Sequence, residues 1–296
     1  MTMFYLLNLH KSSTSLLDPM PPPGFELPIY WDPSQHEIDP QGLWLGLVAA
    51  GSIMAELGGD AIVPRDQTFQ LANTGNLLRL HPFRDESVTY SLLIWTLLEL
   101  GTQMAQHYPM PQLVPAFSSR IVTSRGIVGT LQLLRPAEAF STSADTNLTT
   151  ATRHRRDAVI ATPLEADSGV RPCRENTDLV VRYQFLRRPL IPSQVFTAFL
   201  RSNTFFSAHG MQEPGVLMVA YSSSRRTHFA ITGVGQGPGV NHLTWGLARI
   251  AMRTIWRDLI MRFDYDAGDF VDRPRWEAVS FVLEYRGIRV GQGQLG

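Results

Sequence analysis

The chain has 296 residues and is short of three things that would each narrow its function. It has a single cysteine, Cys173. No intramolecular disulfide can form, so a disulfide-stapled secreted scaffold is excluded. Cys173 lies in the polar stretch RPCREN with no helix start or basic partner in view, and it reads as an unreactive thiol in a loop. The chain has no unbroken apolar run near the roughly 18 residues a spanning helix needs, so neither a membrane span nor a membrane partner is expected. It has no net charge, with 26 basic residues against 26 acidic ones. That balance argues against a broad electrostatic footprint for nucleic acid or anionic lipid, and no nucleic-acid partner is expected. Lysine is nearly missing too, Lys11 being the only one. Arginine favours bidentate pairing with carboxylate or phosphate, but its abundance alone defines no site. The opening MTMFYLLNLHK lacks a basic leader and a small-residue cleavage site, so a cytoplasmic location is expected.

Cofactor and metal motifs are lacking in the same way. Gly233-Val-Gly235-Gln-Gly237-Pro-Gly239 invites a phosphate-loop reading, but the third glycine of a dinucleotide fingerprint would fall at Pro238 or Val240. No Gly-Lys-Ser/Thr follows, and the stretch reads as a flexible connector. Asp264-Tyr-Asp266-Ala-Gly268-Asp269 has Asp269 and Arg275 where a calcium loop needs glycine and glutamate. The eight histidines show no paired ligand spacing. No cofactor and no metal are expected.

What is present is repetition. RGIVGTLQL at 125–133 is echoed by RGIRVGQGQL at 286–295. Other landmarks precede each copy in the same order: a β-type segment, an Ile-Asp-Pro or Ile-Pro helix start at 38–40 and 191–192, a hairpin pattern, and a helix opened by Thr89-Tyr90 or Thr244-Trp245. Asp39 and Ser193 are the cap candidates of the first helices. Each half therefore reads β-α-β-β-α-β-β, and self-similarity of this kind signals an internal duplication. The expected fold is α+β: a tandem copy of a ferredoxin-like β-α-β-β-α-β(β) unit, its antiparallel sheets carrying helices on one face. The two sheets are expected either to merge or to face each other across a pocket. Residues 1–26 read as an extended or disordered arm, 27–136 as the first half, 137–177 as a polar linker and 178–296 as the second half. The T-[YW] helix start and the G..VG closing strand, carried here by Thr244, Trp245, Gly287, Val290 and Gly291, resemble a group of uncharacterised fungal proteins. Thr89, Tyr90, Gly126, Val128 and Gly129 repeat the pattern, and the resemblance implies no activity.

Polar residues in strand patterns supply the candidate site. His228 in RRTHFAIT is the candidate general acid or base, with Tyr183 or Arg226 orienting a substrate. Arg182, Arg79 and His81 lie in comparable strands. Arg249, Arg253 and Arg257 form a helical stripe that reads as a solvent face, and Glu99 falls with Thr96, Gln103 and Gln106 on another exposed arc. The expected function is binding, or cofactor-independent isomerase- or cyclase-like conversion, of a small, largely apolar molecule. The alternative is a non-catalytic protein-interaction module, docking through its Pro-rich arm and open sheet edges, which also permit a homo-oligomer.

Overall fold

The computed structural model describes residues 19–71, 76–83, 88–110, 112–134, 167–214, 216–234, 243–264 and 269–296. The first half runs β1 (Ile29–Ile38), α1 (Pro40–Glu56), β2 (Gln67–Gln70), β3 (Leu77–Pro82), α2 (Tyr90–His107), β4 (Val114–Thr123) and β5 (Gly126–Leu134). The second opens with β6 (Ser168–Cys173) and β7 (Asn176–Pro189), then α3 (Pro192–Ser207), β8 (Leu217–Tyr221) and β9 (His228–Gly233). It continues through α4 (Trp245–Thr254), which runs on as a π-helix over Ile255–Met261, and a short ribbon of β10 (Phe263–Asp264) and β11 (Asp269–Phe270). It closes with β12 (Glu277–Tyr285) and β13 (Ile288–Leu295).

The fold is α+β, with two main antiparallel sheets ordered β1-β4-β5-β3-β2 and β6-β7-β12-β13-β9-β8. With β6 set aside, both follow one plan: the first strand of the half pairs with the fourth, then come the fifth, third and second. The strand added to the β-α-β-β-α-β pattern lies in the middle of each sheet, not at an edge.

Local chemistry explains why the same phrases recur. Thr89 and Thr244 each sit in extended backbone and accept a hydrogen bond from the amide three residues on, at 3.3 Å from Leu92 and 3.3 Å from Leu247. Each also makes an isolated antiparallel bridge to the loop before it, to Ile62 and Pro214. In the closing hairpins, Gly126 and Gly287 hold positive φ at the turn (107° and 77°), where a side chain would strain the backbone. One turn residue later each ladder skips a position. Val122 faces Ile127 while Ile121 faces Gly129, and Glu284 faces Arg289 while Leu283 faces Gly291. Val128 and Val290 are the extra residues of matching β-bulges, and both are buried. The glycine after each bulge permits a close approach: a Cβ at Gly129 would lie 2.7 Å from the His81 carbonyl, and one at Gly291 3.1 Å from that of Thr232.

The helices of the two halves meet each other between the sheets. Trp44 of α1 stacks on Phe196 of α3 with ring centroids 4.8 Å apart. Gly101 of α2 fits against Trp44 and Leu200, and Gly51 of α1 against Asn203 of α3. One hydrophobic cluster spans both halves. The sheets therefore neither merge nor face each other across a pocket, because two layers of helices separate them.

Three boundaries differ from the sequence reading. The stretch assigned to a polar linker ends in β6, which adds an edge strand to the second sheet and buries Cys173 completely. Burial pushes that thiol up to about 11, and the nearby carboxylates of Glu175 and Asp258 act in the same direction. Part of the expected arm is ordered against β4, as described below. Ser193 does not cap α3: Ile191 holds that place without a side-chain cap, whereas Asp39 caps α1 by accepting from the Gly42 amide at 2.8 Å. The turn of the first hairpin pattern lies outside the described residues.

Candidate functional site

The site begins with a turn written in the sequence. Pro22-Pro23-Gly24-Phe25 closes with the Phe25 amide donating to the Pro22 carbonyl at 3.0 Å, and Gly24 has φ +67°. Proline second and glycine third is the chemistry of a type II turn. The turn docks on β4. The Ser124 amide donates to Pro23 at 3.1 Å, and Glu26 and Val122 exchange backbone bonds at 3.1 and 3.0 Å. Gln103 of α2 ties the strap to the helix by donating to the Leu27 carbonyl at 3.1 Å, and Ser119 donates to Pro28 at 2.8 Å. Leu27 is buried and anchors the strap in the core.

Between this strap and α2 lies a cleft of about 430 Å³, lined by Pro21, Phe25, Glu26, Leu27, Pro28, Trp95 and Glu99. Trp95 and Glu99 are one helical turn apart and so share a face of α2. Glu99 accepts from Gln103 at 3.0 Å, a neutral donor. The walls are thus an indole, a phenyl ring and prolines, with two carboxylates and no basic side chain among the lining residues. Such a space accepts a small apolar body and places negative charge beside it. Glu99 was assigned to an exposed arc with Thr96, but Thr96 is fully buried and Glu99 is half-buried at the cleft. The missed signal was the strap itself: Pro-Pro-Gly-Phe specifies a turn, and a turn holds a fixed shape that can cover a helix.

The residues expected to form a catalytic site do not converge. Across the second sheet, Tyr183 pairs with Phe281, Phe281 with Gly293, and Gly293 with Ile231. Directly paired residues share a face, so Tyr183 lies with Ile231 on the helix-facing side. His228 is three residues from Ile231 and therefore points to the opposite face. Its Nε2 lies 2.7 Å from Nε2 of Gln294. An amide nitrogen only donates, so the imidazole accepts there and carries its proton on Nδ1. Burial, assisted by the nearby Arg188 charge, holds His228 below its ordinary pKa. Arg226 is exposed in the β8–β9 turn, and Arg182 pairs with Glu284 at 2.6 Å on the outer face.

Arg79 and His81 also lie on an outer face, because the alternating Leu78 and Leu80 are buried toward the helices. Both donate to Asp66, Arg79 through Nε at 2.8 Å and His81 through Nδ1. Burial raises the Asp66 carboxyl, but the hydrogen bonds from Arg79 and His81 outweigh it and hold the group below its ordinary value.

The arginine stripe is not a solvent face. Arg249 and Arg253 pair with Glu56 of α1, Arg253 and Arg257 approach Glu175 at 3.6 and 3.7 Å, and Arg253 donates to Ser52 at 2.9 Å. Asp258, buried, accepts from Arg257 at 2.7 Å and from Arg171 at 3.4 Å. The stripe is a partly buried ionic seam, with Glu56 of the first half reaching Arg249 and Arg253 of the second. Arg249 is 8% exposed, and among the described residues its Nε and Nη1 have no hydrogen-bond partner. Burial pushes its guanidinium down to about 10, against the pull of Glu56.

Among the described residues, no group of three or more His, Cys, Asp or Glu side chains could hold a metal, and no helix is long and apolar enough to cross a membrane. The glycine-rich connector from 235 and the acidic loop at 265–268 lie outside the described residues. Comparison with known proteins finds no matching family model, no matching curated relative and no matching solved structure.

Proposed function

We propose that this protein binds a small, largely apolar molecule in the cleft between the strap and α2. The observation that carries the reading is the cleft itself, about 430 Å³ walled by Trp95, Phe25 and proline rings on a rigid helix and a pinned turn. Volume and lining both suit a compact organic ligand. We assign the reading to binding and not to conversion, because His228 and Tyr183 lie on opposite faces of their sheet, away from this space. The test is ligand-observed NMR of the full chain against a library of small apolar molecules, with Pro21→Trp as a blocked control. Pro21 is exposed, so the added indole fills the cleft mouth without entering the core. Hits that vanish with Pro21→Trp support the reading. Hits unaffected by it, or no hits, refute it.

We further infer that the halves descend from one duplicated unit, ferredoxin-like in its β-α-β-β-α-β order with its last strand inserted centrally. The shared strand order, the paired threonine caps and the paired Val-Gly bulges support this. They are also the modules on which the likeness to the fungal proteins rests. On this reading the ligand cleft belongs to the first copy, since among the described residues it is β6, not a strap, that precedes β7.

A further inference from the structure

We propose that the cleft selects an organic cation: a compact ammonium group borne on an apolar body. The inference deepens the binding reading above and rests on it. Glu26 and Glu99 both line the cleft, and among the described residues neither is ion-paired. Elsewhere among the described residues, several acids pair with arginine: Asp66 with Arg79, Asp167 with Arg187 and Arg275, Asp178 with Arg286, Glu284 with Arg182, and Glu56 with Arg249 and Arg253. Among the described residues the donor to Glu99 is the neutral Gln103 amide, which leaves its charge uncompensated.

The aromatic wall makes the same choice. An indole face attracts a cation through its quadrupole, and tryptophan does so best of the aromatic side chains. Trp95 is 8% exposed and Glu99 follows it by one helical turn, so ring and carboxylate border one space. An anion would meet two carboxylates at close range. A neutral guest would gain the apolar contact alone. An ammonium group satisfies the carboxylates while its alkyl or aryl body covers Trp95, Phe25 and the prolines.

The test uses three probes of similar size on the full chain by calorimetric titration: benzyltrimethylammonium, benzyl alcohol and phenylacetate. The cation is expected to bind about tenfold or more tightly than the alcohol, with phenylacetate weakest, and to weaken with added salt. The double variant Glu26→Gln/Glu99→Gln changes no buried group. It should abolish the cation's advantage and leave the alcohol's affinity within about twofold of the parent, since only the charge-dependent contribution is removed. Pro21→Trp should weaken both. Equal binding of cation and alcohol, or a double variant that keeps the preference, overturns the cation inference while the binding reading stands. Absence of all three probes from the cleft, with Pro21→Trp indistinguishable from the parent, overturns both.

Discussion

Phe196→Ala tests whether the two halves share a single core. Phe196 is fully buried in α3 and meets three tryptophans: Trp44 stacked at 4.8 Å, Trp256 edge-on at 4.9 Å and Trp276 at 5.4 Å. Trp44 belongs to the first half and the other two to the second. Truncating a buried phenylalanine loses its transfer free energy and leaves a cavity, together roughly 3–5 kcal/mol. Each aromatic contact adds about 0.5–1.5 kcal/mol beyond area, which puts this site at the upper end, near 5 kcal/mol. That is a third or more of the roughly 5–15 kcal/mol that keeps a native domain folded. Urea unfolding followed by tryptophan fluorescence and by far-UV circular dichroism gives the answer. The expected result is one transition, coincident in both probes and moved to much lower urea. Phe196→Leu keeps most of the apolar volume but loses the ring contacts, so it should lose about 1.5–3 kcal/mol, less than Phe196→Ala, and serves as the folded control. A double-mutant cycle with Trp44→Leu should show about 1 kcal/mol of coupling across the halves. A loss below about 1 kcal/mol for Phe196→Ala, or a split transition in which half the signal stays at the parental midpoint, would refute the shared-core argument.

Other measurements address single features. Arg249→Met should leave stability within about 1 kcal/mol of the parent or raise it, because Glu56 keeps Arg253 and two unpartnered buried N–H groups disappear. Glu56→Gln strips Arg249 of its ion pair and should lose about 1–3 kcal/mol by the same denaturation assay, and the reverse ranking would contradict the seam. Thr89→Ala and Thr244→Ala should each lose about 1 kcal/mol and add in the double variant, since each caps its own helix. The folded pKa of His228 lies below its ordinary value, so protons bind the unfolded chain first. Its contribution is whole above about pH 6.5 and is lost as pH falls towards and through the folded value, so His228→Gln should flatten that part of a stability–pH profile.

The sequence reading succeeded where a feature is written within a few residues, and it failed where two distant segments decide. Proline at a helix start and a glycine turn act on their own neighbours, so the starts at Pro40 and Pro192 and both closing hairpins were legible, although Ser193 proved not to be a cap. Strand alternation separates two faces but does not say which one meets the helices. His228 and Tyr183 could therefore be grouped on paper although register through Phe281 and Gly293 puts them back to back. The arginine stripe failed for a related reason. Its partners Glu56 and Glu175 come from α1 and from the turn after β6, far away in the chain, and no helical wheel contains them. The wheel itself was also wrong past Thr254. Beyond Thr254 the helix runs on as a π-helix, so an α-helical count no longer gives the faces there. The strap combines both cases. Its turn was fully specified by Pro-Pro-Gly-Phe, but its covering of Trp95 depends on β4 and Gln103, about 80–100 residues further on. A ligand site made by laying a local turn over a distant helix has no sequence motif of its own. It shows only as a turn without an evident purpose and as an acid, Glu99, whose basic partner is missing.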